Sequence, residues 1–450
     1  MNWILFLCCS VAFINPFMAS SVNVAIIEIE KSLHTTSILT SWVITSYILS
    51  TAAILPIGAK LADIYGKRKI FIIGILLFAI ASLIGGISEN FTIFILSRIT
   101  QGIVGALFLS TQSAILIDVF PKKKRGKVLG INTAFVYTGL STGPFLGGII
   151  ISKYGWNAIF FITASVCFIV AIVSYYKLKF DDIKTAKTLY FNEFIYYPLF
   201  ITLFIYSVSN ITVSYSPIIL IISFLFLYVF IGIQKKSEEP VIKINLFKEN
   251  LIFGFSSLSA LINYSATTAL TFFLNLYIQS ILKYDPQKSG KILLIQPVIM
   301  ALISPFAGKL SDIKEPQIIA SIGMLLTTVS LFITSFINLN SNINMIIIIL
   351  VIAGIGFGLF SSPNTNAIMS SVERKNYAMA SSIVATMRVL GQALSMAISS
   401  IILSLYMKDI KLSENPYMLV KTIKYSFYIF SSISFLGIFF SLMRGKMHKK

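Results

Sequence analysis

Long apolar stretches alternate with short polar connections along most of the chain. About 20 residues suffice for a helix across the hydrocarbon core of a bilayer, and in lipid a helix satisfies its own backbone polar groups. The pattern therefore predicts an all-α integral membrane protein. We expect fourteen spanning helices, at residues 3–27, 41–60, 70–88, 91–117, 128–152, 157–176, 193–209, 215–233, 251–279, 290–308, 317–337, 343–369, 379–405 and 422–443.

Two charged connections divide the predicted helices into three groups. They cover residues 177–187 and 234–250 and flank the seventh and eighth apolar stretches. We expect an N-terminal six-helix bundle over residues 1–178, two extra central helices over 179–250 and a C-terminal six-helix bundle over 251–450. The first stretch has no basic residue before it, so we expect a retained helix and not a cleaved signal.

The composition excludes a water-soluble globular protein. Hydrophobic residues make up 56% of the chain and charged residues 12%, with a mean hydropathy of +0.86, whereas soluble domains carry about 25% charged residues. The net charge of +19 does not call for nucleic acid, because placing both termini in the cytoplasm puts most lysines and arginines in cytoplasmic loops. We expect a multi-pass protein of the cytoplasmic membrane.

Candidate catalytic chemistry is sparse. The three cysteines lie in apolar runs and only two histidines are present, so neither a disulfide framework nor a metal site is expected. No phosphate-binding loop of the G-x-x-x-x-G-K-[ST] type occurs. We expect no cofactor, no enzymatic activity and no direct use of ATP.

A short internal repeat favours a transporter. The tetrapeptide KLAD at 60–63 recurs as KLSD at 309–312, and each closes an even-numbered predicted helix on the same face. Paired halves of this kind are typical of secondary transporters. Asp63 and Asp312 would then be equivalent residues of the two halves, and we predict a gating role for both.

The segment 60–69, KLADIYGKRK, resembles the first signature of the major facilitator superfamily, specifically of its fourteen-span drug:proton antiporter branch. Asp63, Gly66, Lys67 and Arg68 match that signature. Gly66 supports a tight turn, and Asp63 can pair with a cation or with a helix N-terminus. The resemblance implies a contact that holds two helical bundles in one access state.

The fourth predicted helix contains RITQGIVGA at 98–106, which is similar to the R-x-x-Q-G-x-G motif of the same family. An arginine within lipid costs roughly 3 kcal/mol and therefore needs protein or water around it. The resemblance associates Arg98 with proton transfer. A structural arginine, satisfied by carbonyl groups and by Gln101, is the alternative.

The fifth predicted helix resembles the antiporter signature G-x-x-x-G-P-x-x-G-G. Glycines at four-residue spacing give a smooth helix face, and the proline frees a carbonyl and bends the helix. A pliable seam with a partner helix follows, although tight packing alone would give the same spacing. The matching residues are Gly139, Gly143, Pro144, Gly147 and Gly148.

In the C-terminal half, residues 354–398 look like the paired twelfth and thirteenth helices of that branch. Arg388 would lie roughly 14 Å from the cytoplasmic end of its helix, near the midplane where such carriers bind substrate. We expect Arg388, Gln392 and Asn23 to line a cavity. Snorkelling or helix packing is the alternative for the arginine.

One departure from the family pattern concerns coupling. The branch usually carries an acid in its first helix, and Met18 occupies that position here. No Asp or Glu lies at mid-depth in any predicted helix; the nearest are Glu28, Glu30, Asp118 and Glu193. There are three alternatives. Transport is coupled to protons through Glu28, it is coupled to protons through a carboxylate on the substrate, or it is not coupled to protons. Such an interior suits neutral, zwitterionic or anionic amphiphiles.

These observations predict a monomeric secondary transporter that works by alternating access. We expect it to export drugs or toxic organic compounds in exchange for protons or another coupling cation. The alternative is an uptake or exchange carrier for an organic solute, without conventional proton coupling.

Overall fold

The computed structural model describes residues 3–178, 191–211, 213–237, 240–242, 244–373, 377–407 and 415–446. Regular structure within these ranges is helical throughout, which confirms the all-helical part of the predicted fold class. The helices are α1 Trp3–Ser32, α2 Ser37–Tyr65, α3 Lys67–Ile87, α4 Phe91–Val119, α5 Lys122–Tyr154, α6 Asn157–Lys177, α7 Phe191–Ser209, α8 Ser216–Lys236, α9 Asn245–Glu249, α10 Leu251–Leu276, a π-helical turn Tyr277–Ile281, α11 Pro286–Leu293, α12 Ile295–Ile313, α13 Pro316–Thr334, α14 Ile343–Ser370, α15 Tyr377–Tyr406 and α16 Pro416–Met443.

Twelve helical segments of the described residues are long and apolar enough to cross a membrane. They are α1 to α6, α8, α11 with α12 as one segment, and α13 to α16. The apolar part of α7, Phe194–Ser209, is shorter, and α10 is not among the twelve. Helix α10 is not among the twelve because of its polar residues, which include Ser256, Ser257 and Asn263. These three residues are fully buried, since the helix packs between α14, α15 and α16.

Two local features differ from the sequence prediction. The stretch predicted as one helix over 290–308 is two helices, α11 and α12, separated at Leu294. Asp285 caps α11 by accepting a hydrogen bond from the amide of Lys288 (2.6 Å), and Pro286 follows at the first helical position, where the lack of an amide proton costs little. The connection predicted over 234–250 contains the short helix α9.

Each half of the chain packs mainly within itself. In the first half, α1 lies on α5, α2 on α4, and α3 on both α4 and α6. In the second half, α10 lies on α15 and α16, while α12 and α13 lie on α14. The two halves meet where α2 contacts α15 and where α11 contacts α5. Any space between the halves is therefore lined by residues of both.

Helices α7 and α8 form a hairpin, called here the linker hairpin. Helix α7 packs on α2 and α15 beside the seam between the halves, with Tyr206 against Trp42 at a ring-centroid distance of 6.4 Å. Helix α8 lies outside it, with Ile221 71% and Tyr228 77% exposed. Because such apolar exposure is unfavourable in water, this surface suits lipid.

Candidate functional site

Two adjoining cavities, of about 600 and 250 Å³, lie between the halves. We call them together the chamber. Both are lined by Gln112, Tyr137, Tyr264 and Arg388, which come from α4, α5, α10 and α15. Because the shared residues belong to both halves, a change in the angle between the halves changes the shape of the chamber.

The smaller cavity brings together four of the residues singled out in the sequence. Asn23, Arg98, Arg388 and Gln392 all line it, although they lie far apart along the chain. Gln101 does not line it. Its side chain lies behind Arg98, where its Nε2 donates to Oγ of Ser82 (3.0 Å).

Arg98 is held firmly in the wall of the smaller cavity. Only 1% of the residue is exposed. Its Nε donates to the carbonyl oxygen of Val43 (3.1 Å) and its Nη1 to Oε1 of Gln101 (2.6 Å). The guanidinium carbon lies 4.4 Å from the ring centroid of Tyr47, a distance at which a cation–π interaction stabilises it.

Tyr47 extends this network to α1. Its hydroxyl donates to Oδ1 of Asn15 (2.7 Å). The Nδ2 of Asn15 is buried without a partner and lies close to Gly105 of α4. Arg98 therefore has tethers on α2 and α4, and through Tyr47 it is connected to α1.

Arg388 differs from Arg98 in its contacts. It is half-buried, lines both cavities, and makes no hydrogen bond or ion pair with any residue that the structure describes. Tyr264 lies within electrostatic reach of it. Tyr264 packs edge-on against Phe357, with ring centroids 5.4 Å apart, and Tyr137 shares a hydrogen bond with Ser361 across the halves (2.8 Å).

Several amides on the chamber wall have an atom without a partner. They are Oε1 of Gln112, Oδ1 of Asn23, Oδ1 of Asn132 and Nδ2 of Asn15. Buried polar atoms are rarely left in this state unless water or a ligand satisfies them. These four atoms are themselves buried within the wall, so they mark polar positions beside the chamber that no described residue satisfies.

At one end, the larger cavity reaches a cluster of charges centred on Lys67. The Nζ of Lys67 lies 2.5 Å from Oδ2 of Asp118 and 3.5 Å from Oδ1 of Asp63. Lys67 is buried, whereas the two aspartates are partly exposed. We call this end of the chamber the Lys67 end. The sequence did not indicate Asp118 as a partner, because it lies 51 residues from Lys67.

The turn that carries this cluster depends on Gly66. Its φ of 101° is unfavourable for residues with a Cβ atom, and it separates α2 from α3 with no further connecting residue. Arg68, next along α3, points elsewhere and donates through Nη2 to the carbonyl oxygen of Tyr175 (2.8 Å). Arg68 therefore ties α3 to α6, within one half.

Asp312 has a different environment from its repeat partner Asp63. It accepts a hydrogen bond from Nδ2 of Asn366 (3.1 Å), and the same amide donates to Oγ of Ser311 (2.9 Å). The contact joins α12 to α14. In the second copy of the repeat, Asp312 is therefore held by the amide of Asn366, whereas in the first copy Asp63 is held by Lys67.

The other end of the chamber is closed by polar contacts between the halves. The Nδ2 of Asn275 donates to the carbonyl oxygen of Asn23 (2.8 Å), and Nε2 of Gln279 donates to that of Val24 (2.9 Å). Asn275 also accepts from Gln279 and Ser289 (both 2.7 Å). We call this the Asn275 end. No sequence motif indicates this end of the chamber, because Asn275 and Gln279 lie in none.

The glycine-rich segment of α5 faces two different neighbours. A Cβ atom on Gly139, Gly143 or Gly147 would collide with α1, so these three allow close packing within one half. On Gly148 it would lie 2.5 Å from the carbonyl oxygen of Pro286, in the other half. Reciprocally, a Cβ on Gly290 would collide with the carbonyl oxygen of Pro144.

A chamber lined by two helical halves, closed by contacts at one end and reaching a charged cluster at the other, defines a membrane carrier of the secondary-transporter class. Sequence comparison agrees with this assignment. The chain belongs to the Major Facilitator Superfamily, whose family profile matches residues 8–237 and 256–450.

Individual relatives are distant. The riboflavin transporter RibZ of Clostridioides difficile is 27% identical over 97% of this chain and 96% of its own length. The multidrug transporter protein MdtP of Bacillus subtilis is 27% identical over 82% of this chain and 69% of its own. Among solved structures, a bacterial homologue of the human lysosomal transporter Spinster, inward-facing and unoccupied, superposes with a TM-score of 0.73 at 13% identity, covering 98% of this chain and 96% of that one.

Proposed function

We propose that this carrier exports small amphiphilic organic compounds, drugs or toxic metabolites among them, across the cytoplasmic membrane by alternating access. The observation that carries the proposal is the chamber, which reaches the Lys67 end while the halves are in contact at the Asn275 end. Rocking of the halves about the chamber would break the Asn275 contacts and close the Lys67 end, presenting the same residues to the other side.

We further propose that all six long helices of each half and the linker hairpin cross the bilayer, giving fourteen crossings with both termini in the cytoplasm. The halves would be residues 1–178 and 251–450, joined by 179–250. The buried serines and asparagines of α10 are compatible with a crossing because other helices cover them. The basic residues around Lys67 would then face the cytoplasm, and we propose that the protein works as a monomer.

Proton exchange is the proposed driving force, and its site would lie outside the usual position. Met18 is buried on α1, and no neighbouring residue of α1 at that depth is acidic. Farther along α1, Glu28 is half-buried and Glu30 is fully buried. Acidic residues within a membrane-spanning helix are common proton carriers in transporters, so Glu28 and Glu30 are the residues to test for coupling.

The relatives support an organic solute as the cargo, since one is a riboflavin transporter and another a multidrug transporter by name. Met18 favours one second candidate, an uptake or exchange carrier without conventional proton coupling. The two candidates differ in direction and in pH response, so both can be measured in one preparation.

A compound screen tests the proposal. Growth and compound accumulation are compared in cells with and without the protein, and hits are followed in inside-out vesicles with a pH-sensitive dye. Lower accumulation in expressing cells, with proton release from the vesicles on substrate addition, is the expected result. Higher accumulation without any pH change would favour the uptake or exchange carrier, and no movement of any compound would contradict both.

A further inference from the structure

The charged residues of the chamber wall are distributed unevenly. At the Lys67 end, the described lining residues Lys60 and Lys67 accompany Asp63 and Asp118, so acids and bases balance among them. Deeper in, the charged residues of the wall are Arg98 and Arg388, and the described residues that line the smaller cavity include no acid. The deep chamber is therefore positively charged.

The two arginines are not equivalent. Arg98 is held by hydrogen bonds to Val43 and Gln101 and covered by the ring of Tyr47, so part of its donor set is used within the protein. Arg388 donates to no residue that the structure describes, although it lines both cavities. A guanidinium has five N–H donors in a planar arrangement that matches an oxyanion.

Arg388 is a half-buried cation without a partner among the described residues, and such a charge is stabilised by an anion or by water. The surroundings of Arg388 are partly aromatic. Tyr264 and Phe357 form an edge-to-face pair, and both line the smaller cavity with Arg388. One turn farther along α15, Gln392 lies on the same helix face as Arg388 and adds an amide to the same wall.

We propose that the transported compound is an organic anion, whose carboxylate or similar oxyanion binds Arg388 while its apolar ring system lies against Tyr264 and Phe357. This inference rests on the proposed transport function, but it does not depend on the direction of transport. Arg388 is then the residue that selects anions over cations of the same size and shape.

Two dyes on one ring skeleton provide the test. Fluorescein is an anion and tetramethylrhodamine methyl ester is a cation. Binding to the purified full-length protein is measured by fluorescence polarisation, and movement of each dye is measured in liposomes. We expect wild type to bind fluorescein more tightly than the cation. Arg388→Gln should weaken fluorescein binding about tenfold or more, as loss of one charged hydrogen-bonding partner predicts, and Arg388→Lys should retain part of it.

Lys153→Gln is the matched control, because it removes one positive charge from an exposed side chain outside both cavities. Each variant is used only if its elution profile and melting temperature equal those of wild type; if Arg388→Gln does not pass, Arg388→Lys and Gln392→Ala are compared in its place. Unchanged fluorescein affinity in the Arg388 variants, tighter binding of the cation by wild type, or binding of neither dye would overturn the inference. Arg388-dependent fluorescein binding without any movement in liposomes would support the anion site and contradict the transport function.

Discussion

Gly139 shows how strongly a single residue can limit this structure. A Cβ atom at this position would collide with the carbonyl oxygen of Phe13, a main-chain atom that cannot turn aside as a side chain can. Gly143 and Gly147 repeat the close approach one and two turns farther along α5, against Ser20 and Ser21. The contact between α1 and α5 therefore requires glycine, which has no Cβ atom, at these three positions.

We expect Gly139→Ala to lower the melting temperature of the detergent-purified protein, because overpacking at a backbone contact costs about 1–3 kcal/mol. Gly232→Ala is the matched control. No atom lies within 4 Å of a Cβ placed on Gly232 of α8, so its melting temperature should not fall. Equal melting curves for the two variants would contradict the packing role of Gly139.

At the Lys67 cluster, we expect Asp118→Asn to impair transport more than Asp63→Asn. The distance from Lys67 to Asp118 is 2.5 Å and that to Asp63 is 3.5 Å, and removing the closer partner of a buried ammonium leaves more of its charge uncompensated. Initial transport rates, normalised to the amount of folded protein, measure the effect. Asp285→Asn should transport as wild type does, because asparagine caps a helix as well as aspartate does. Wild-type rates in both cluster variants would remove their gating role.

At the scale of elements, the end of α10 is the most unusual part of the fold. The α-helix gives way to a π-helical turn, Tyr277–Ile281, a feature that often occurs at functional sites. Gln279 of this turn donates to the side chain of Asn275, four residues earlier, and to the carbonyl oxygen of Val24 in the other half. This irregular segment thus contributes one of the contacts that close the Asn275 end.

We expect Asn275→Ala to loosen that end. The change removes the hydrogen bond to Asn23 and leaves Gln279 and Ser289 without the oxygen that accepts from them, which costs about 1–3 kcal/mol for such buried groups. A cysteine placed at Thr271, on the wall of the smaller cavity, should react several-fold faster with an impermeant maleimide applied to intact cells.

The three native cysteines are buried, so background labelling should be low. Asn340→Ala, whose side chain is exposed, is the control and should leave the labelling rate unchanged. If Asn275→Ala labels no faster than this control, the polar contacts do not hold the end closed.

At the scale of the whole molecule, two helical halves and a linker hairpin form one carrier. The hairpin contacts both halves through α7, against α2 and α15, while α8 keeps most of its surface exposed. Motion between the halves must therefore occur with α7 resting on both sides of the seam. Because the hairpin consists of two helices, the chain returns to the same side whether or not the hairpin crosses the membrane, so the loop between α7 and α8 is the part that reports on its crossing.

Fourteen crossings with cytoplasmic termini predict that the loop between α7 and α8 faces outward. In intact cells, a cysteine at the exposed Ser214 should react with an impermeant maleimide. One at Lys236, at the other end of α8, should react only after permeabilisation. Labelling of both positions from the same side would contradict the fourteen-crossing arrangement.

The sequence predicted the helices well because lipid requires long apolar segments with few alternatives. It also indicated the residues that the structure brings to the smaller cavity, Asn23, Arg98, Arg388 and Gln392, since the position along a spanning helix fixes the depth of a polar residue. The depth of a residue in the membrane, however, does not identify the residues that it contacts. For this reason the partner of Lys67 on α4 and the amides of the Asn275 end were not predicted.

Local geometry was predicted less well for a different reason. A break at Leu294 and a π-helical turn change hydrogen bonding without changing hydropathy, so an apolar pattern cannot indicate them. The apolar pattern also does not single out Tyr137 and Tyr264 as residues of the chamber wall. The chain contains 20 tyrosines and 37 phenylalanines, and most aromatic residues of a membrane protein pack between helices or face lipid.

The closure between Gly148 and Pro286 and between Gly290 and Pro144 is made of main chain on both sides. Any substitution at either glycine adds atoms where none fit, whereas the chamber wall is built from side chains that can be exchanged singly. Selection for a new transported compound could therefore change the residues of the chamber wall while these main-chain contacts stay the same.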